Sequence, residues 1–217
     1  GYSPLQAGFA FLPFSAGIVV AAGLSSNLIN RVDPRFLAGT GTLMAGTALF
    51  GFSRLPYDTT FPASDVTGSY VTDILPYIIL MSLGMGFVFV PLTLTAVHHV
   101  RAEDSGIGSG VLNTMQQVGG ALGLATLATV ATHVWSGTGD RLAAAAEKAA
   151  AASPNAPTPS AEKLHAMQQI AQHQVFTDGA TTAFLWGTAM MLVASLVVWL
   201  FLDVKHAELA TDGPPVA

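Results

Sequence analysis

Apolar residues run along this chain in long uncharged blocks rather than in stripes. Five blocks reach or approach the roughly 20 apolar residues that a helix needs to cross about 30 Å of hydrocarbon. They are Ala7 to Ser26, Leu37 to Ser53, Leu75 to Val97, Ile107 to Thr132 and Ala180 to Leu202. The second is short and rich in Gly and Thr, and the fifth carries Trp186 and Trp199 near its two ends. All 13 acidic and all 8 basic residues fall outside the five blocks. A surface helix of a soluble protein would show one apolar stripe and a charged face. The pattern predicts an all-α membrane protein of about five transmembrane helices.

The blocks divide the chain. Residues 1–134 hold four spans, residues 135–179 an Ala- and Pro-rich segment, residues 180–202 the last span, and residues 203–217 a tail. Arg31, Arg35, Arg101 and Lys205 lie on the side with the shorter loops, which the positive-inside rule assigns to the cytoplasm. The tail is then cytoplasmic and residues 135–179 external. Within that segment Leu142 to Ala152 is a strong helix former, Ser153 to Pro159 breaks it, and Leu164, Met167, Ala171 and Val175 recur at helical spacing. Two organisations stay open, a helical hairpin capping the external mouth and a flexible spacer.

Composition narrows the classes. Only 10% of residues are charged, against about 25% in soluble domains. The net charge of −5 argues against a nucleic-acid partner. With no cysteine, thiolate metal sites, disulfides and cysteine nucleophiles are excluded together. The opening Gly1-Tyr2-Ser3-Pro4 reads as the interior of a longer protein.

Polar chemistry inside the blocks concentrates in the fourth. At 100° per residue, Asn113 and Gln117 lie about 40° apart, with Gln116 about 60° to the other side of Asn113. Amides in hydrocarbon need partners or a polar cavity. Two readings stand side by side: a substrate-cavity wall, and interhelical bonding worth about 0.6 kcal/mol per contact. The pairs Gly106/Gly110 and Gly119/Gly123 have the spacing of helix-packing motifs. In the third block Gly84 and Gly86 precede Pro91, the arrangement expected of a hinge, and Pro13 in the first block is a weaker version. His98 and His99, with Glu103 and Asp104, invite a metal hypothesis, but adjacent histidines point apart in most backbones, and neither a metal nor a cofactor is predicted. No catalytic triad can be assembled from the hydroxyls in the spans, and an enzyme is not expected.

Several stretches together resemble a known family. Gly1 to Gly8 followed by Phe11-Leu12-Pro13, then Phe89 to Thr93, Asp104 to Thr114 and Gln117 to Gly123, are similar in order and spacing to the C-terminal half of fourteen-helix drug:proton antiporters of the major facilitator superfamily. The resemblance covers about residues 1–134 and, more loosely, 180–202. It implies the last five helices of a six-helix C-terminal bundle in a cell membrane, that of a bacterium for the subfamily, with the first, third and fourth spans lining a central cavity. It also implies a missing N-terminal half as partner and a small hydrophobic or cationic substrate moved by proton antiport.

The loop between the first two spans resembles a degraded cytoplasmic gating motif of that family. Arg31 and Arg35 match it, whereas Ser26, Asn30 and Asp33 stand where the motif has Gly, Asp and Gly. Losing the motif's acidic residue removes a charge partner for the arginines. None of the spans holds a titratable group within it, so the coupling carboxylate is expected in the missing part, and this piece alone should not transport. A permease of the same superfamily and a non-transporting assembly partner are the alternatives.

Overall fold

The computed structural model describes residues 2–55, 69–98, 100–152 and 160–210. These residues are almost entirely helical. A short α1 (Pro4–Ala10) begins with a capping box in which Ser3 and Gln6 satisfy each other's backbone N–H groups. A turn at Phe11, whose N–H bonds back to the Gly8 carbonyl, leads into α2 (Leu12–Leu28). Pro13 stands in the first turn of α2, where its missing N–H has no helical acceptor to lose. Next come α3 (Pro34–Phe52), a π-helical turn at Tyr70–Ile74, and α4 (Leu75–Val97). The chain ends in α5 (Ser105–Ala152), α6 (Ala161–Phe201) and the one-turn α7 (His206–Ala210).

Among the described residues, four helical stretches are long and apolar enough to cross a membrane: Pro4–Leu28, Tyr70–Val97, Ser105–Ala152 and Ala161–Phe201. The fifth expected crossing is α3, whose glycines and threonines dilute its hydropathy. It is also the most buried helix, lying between α4 and α6. Burial against protein on two sides removes the need for bulky apolar side chains.

Helix order around the bundle is α2, α4, α3, α6, α5, with a smaller contact returning from α5 to α4. Glycines set the spacing. A Cβ on Gly84 would stand 2.6 Å from the Gly41 carbonyl oxygen, and one on Gly41 would stand 2.7 Å from that of Gly84. A Cβ on Gly86 would overlap the Ala21 Cβ, and one on Gly39 would meet the Trp199 indole at 2.6 Å. These small residues let backbones approach closely, the main way helices gain contact where solvent is already apolar. Aromatics fill the ends: Phe36 meets Trp199 edge-on at 5.3 Å, and Phe52 packs on both Tyr77 and Phe184.

At 48 residues, α5 is about 72 Å long, more than twice the thickness of a bilayer's apolar core. It therefore continues as helix well past Thr132, and α6 likewise begins at Ala161, well before Ala180. The Ser153 to Pro159 breaker and the end of the tail lie outside the described residues.

Candidate functional site

The three amides sit on an uninterrupted stretch of α5, so their predicted angular relationship holds along a real helix. Asn113, Gln116 and Gln117 are all exposed, as are Val111, Met115, Val118 and Leu122 around them. Leu112, about 100° round the helix from Asn113, is the half-covered residue of this stretch. The chain's own contact with α6 lies farther along, where Gly123 meets Met190, Leu127 approaches Gly187, and Trp135 donates to the Phe176 carbonyl at 3.2 Å. Beside it Thr138 donates to the Asp178 carboxylate.

The glycines of this stretch follow the same division. Nothing in the described chain lies within 4 Å of a Cβ built on Gly106, Gly110 or Gly119, and the Met190 methyl just reaches that of Gly123. Any close packing through the first three must involve groups outside the described residues.

In α4, Pro91 is fully buried inside a helix that continues to Val97. The Thr95 hydroxyl donates to the Pro91 carbonyl at 2.9 Å. Gly84 and Gly86, expected beside Pro91 as a hinge, are the contact points of α4 with α3 and α2 respectively.

The loop between α2 and α3 is organised differently from a gating salt bridge. Arg31 is exposed, with its backbone N–H on the Leu28 carbonyl at 2.8 Å. The Arg35 guanidinium lies 5.8 Å from the centre of the Trp199 ring, and its Nε is buried with no hydrogen-bond partner among the described residues. Asp33, noticed in the sequence only as a departure from glycine, accepts from the His206 backbone N–H at 2.8 Å. The His206 imidazole Nδ1 lies 2.6 Å from the same oxygen. The backbone bond first, and then the side-chain bond, lower the Asp33 pKa. No group of three or more metal-type ligands occurs among the described residues, and His99 lies outside them.

Residues 1–124 match the profile of the Major Facilitator Superfamily, more than half of the chain. The chain belongs to the major facilitator superfamily. The puromycin resistance protein pur8 of Streptomyces alboniger is 31% identical over 94% of this chain and 35% of its own length. The tetracenomycin C resistance and export protein of Streptomyces glaucescens is 29% identical across the whole chain and 41% of its own length. The cephamycin export protein CmcT of Amycolatopsis lactamdurans is 35% identical over 66% of the chain and 28% of its own. The chain therefore spans well under half the length of these relatives. As a member of this superfamily it is an all-α integral membrane protein of a transport family, carrying most of a C-terminal bundle.

Proposed function

We propose that this chain is the C-terminal part of a drug exporter that works by alternating access, moving against an N-terminal half to expel hydrophobic or cationic compounds. The observation that carries the reading is the exposed face of α5. Asn113 and Gln117 lie there uncovered by the chain's own bundle, on a helix whose apolar stretch is free of charge. Amides at that depth are costly against lipid and favourable against a partly hydrated cavity. Secondary transporters place such sites between two halves. Relatives named for antibiotic resistance and export support a drug-like substrate.

On this reading Gln116 flanks the cavity face and Gly106, Gly110 and Gly119 meet the rest of the transporter. Arg31 and Arg35 lie at the cytoplasmic side, and the region around Gly84, Gly86, Pro91 and Pro13 bends as the halves rock. Coupling is to protons, through a carboxylate in the N-terminal half, because the spans of this chain contain no acidic residue. The deciding experiment is proton-driven efflux of a fluorescent lipophilic cation from vesicles holding the full-length transporter. The Asn113→Ala, Gln117→Ala double variant is expected to lose export at unchanged expression. Normal export by that variant would reduce the amides to packing contacts.

A further inference from the structure

The first helix is only lightly attached to the bundle. No residue of α1 is buried, and the capping box at Ser3 and Gln6 makes it a self-contained two-turn unit. Its junction with α2 is a break in the backbone ladder. Pro13 has no N–H to give to the Phe9 carbonyl four residues back. The Phe14 N–H bonds to the Phe11 carbonyl at 3.1 Å, the tighter i−3 pairing, instead of following the α-helical pattern to Ala10. Carbonyls freed at such a break are costly in a membrane unless another donor reaches them.

The donor comes from 60 residues away, where the Tyr70 hydroxyl bonds to the Ala10 carbonyl at 2.6 Å. Among the described residues, it is the one hydrogen bond joining segment 2–10 to a helix other than α2. The Tyr70 ring also lies 6.3 Å from that of Tyr2, just ahead of α1. Tyr70 itself is well anchored. It opens the π-helical turn leading into α4, in which the Leu75 N–H bonds to the Tyr70 carbonyl. The Asp73 carboxylate closes that turn by accepting from the Ser69 N–H at 2.7 Å. One fixed side chain therefore holds a loosely attached helix across a broken ladder.

We propose that α1 is a flap at the external end of the bundle, hinged at Phe11 to Pro13, and that the Tyr70 hydroxyl is its catch. With the bond made, α1 is tied to the start of α4. With it broken, α1 swings on the hinge and the Ala10 carbonyl turns to water. The gating role rests on reading the first and third spans as cavity-lining helices, because the bond then ties their external ends and releasing it opens one side of the mouth. A hydrogen bond exchanged for water shifts such an equilibrium only about two- to tenfold, so the catch is weak enough to open and close in each cycle.

The test begins on the full chain in lipid nanodiscs, with spin labels at Leu5→Cys in α1 and Leu185→Cys in α6. Both positions are exposed, and the chain has no cysteine of its own. Double electron–electron resonance should give a single narrow distance distribution. Tyr70→Phe, which keeps the ring and removes the donor, should raise a second population about two- to tenfold. Pro13→Ala restores the missing N–H, so adding it to Tyr70→Phe should bring back the narrow distribution. Equal distributions with and without the Tyr70 hydroxyl would overturn the catch, and broadening that persists with Pro13→Ala would overturn the hinge. Neither result depends on transport, so a failure of the exporter reading leaves this arm standing. The gating role is read in the full-length transporter on a cysteine-free background, from the rate at which an impermeant maleimide reaches Ser15→Cys from outside. That rate should rise about two- to tenfold in Tyr70→Phe and fall in Pro13→Ala. An unchanged rate beside a broadened distribution would overturn the flap as a gate.

Discussion

Asp33 holds His206 from the far end of the sequence, with Oδ1 2.8 Å from the backbone nitrogen and 2.6 Å from the ring. It stands at the N-cap of α3 but makes no side-chain bond to that helix. Its carboxylate instead satisfies the first N–H of α7 and so fastens the tail beneath the bundle. The loop that resembles a charged gate is thus tied to the C-terminal tail through its acidic residue, while Arg35 is occupied by Trp199.

This contact fixes the backbone at His206, next to the exposed Lys205. Asp33→Ala should release α7 and raise trypsin cleavage after Lys205 several-fold, with Asp33→Asn intermediate because an amide oxygen still accepts the backbone bond. Limited proteolysis read by mass spectrometry measures it. Equal cleavage in all three proteins would mean that the tail is held by something else.

The pH dependence has a fixed sign. Asp33 has a lowered pKa in the folded chain, because His206 donates to its ionised form. Its contribution to docking is therefore complete above the ordinary aspartate value of about 3.9 and is lost as pH falls through the lower folded value. On this account the amide resonance of His206 should reach its undocked position only at strongly acidic pH. Asp33→Asn should abolish the acid transition.

Gly84 separates flexibility from packing. Were it only a loosened turn, Gly84→Ala would stabilise the helix by about 0.5–1 kcal/mol. Its Cβ would instead stand 2.6 Å from the Gly41 carbonyl oxygen and 2.8 Å from the Ala45 nitrogen, backbone atoms that cannot turn aside. We expect a net loss of about 1–3 kcal/mol, as for other overpacked contacts, read as a lower melting temperature in detergent. Gly8→Ala, with nothing within 4 Å, serves as the unstrained comparison.

That contrast marks how far the sequence could be read. The membrane spans were legible because exclusion of charge is local: each block shows it without reference to any other. The lengths of α5 and α6 were less so. Helix does not stop where hydrocarbon ends, and the stretch from His133 to Ala152 keeps helical propensity without an apolar signal. The relative angles of Asn113, Gln116 and Gln117 follow from helix geometry alone. What covers a glycine, or pairs with Asp33, depends on residues from another helix. A Gly-x-Gly-x4-Pro stretch therefore reads equally as hinge and as seam, and nothing near Gln174 in sequence signals that its amide is buried with no partner among the described residues.

Gly106, Gly110 and Gly119 give the sharpest separation between this chain and the full-length transporter proposed above. A Cβ on any of them meets nothing within 4 Å here, so Gly110→Ala or Gly119→Ala should leave the isolated chain as stable as before or raise its helix stability by up to about 1 kcal/mol. Close approach of another helix is what glycine spacing of this kind serves in a membrane. In the full-length transporter the same substitutions, and Gly110→Leu more severely, should therefore lower the melting temperature and weaken co-purification of separately expressed halves. Both measurements are needed, because each excludes a different error. A loss of stability in the isolated chain would mean that α5 packs on its own bundle at this height. Unchanged behaviour of the full transporter would mean that the face looks onto lipid or water, leaving Asn113 and Gln117 beside a surface that nothing approaches.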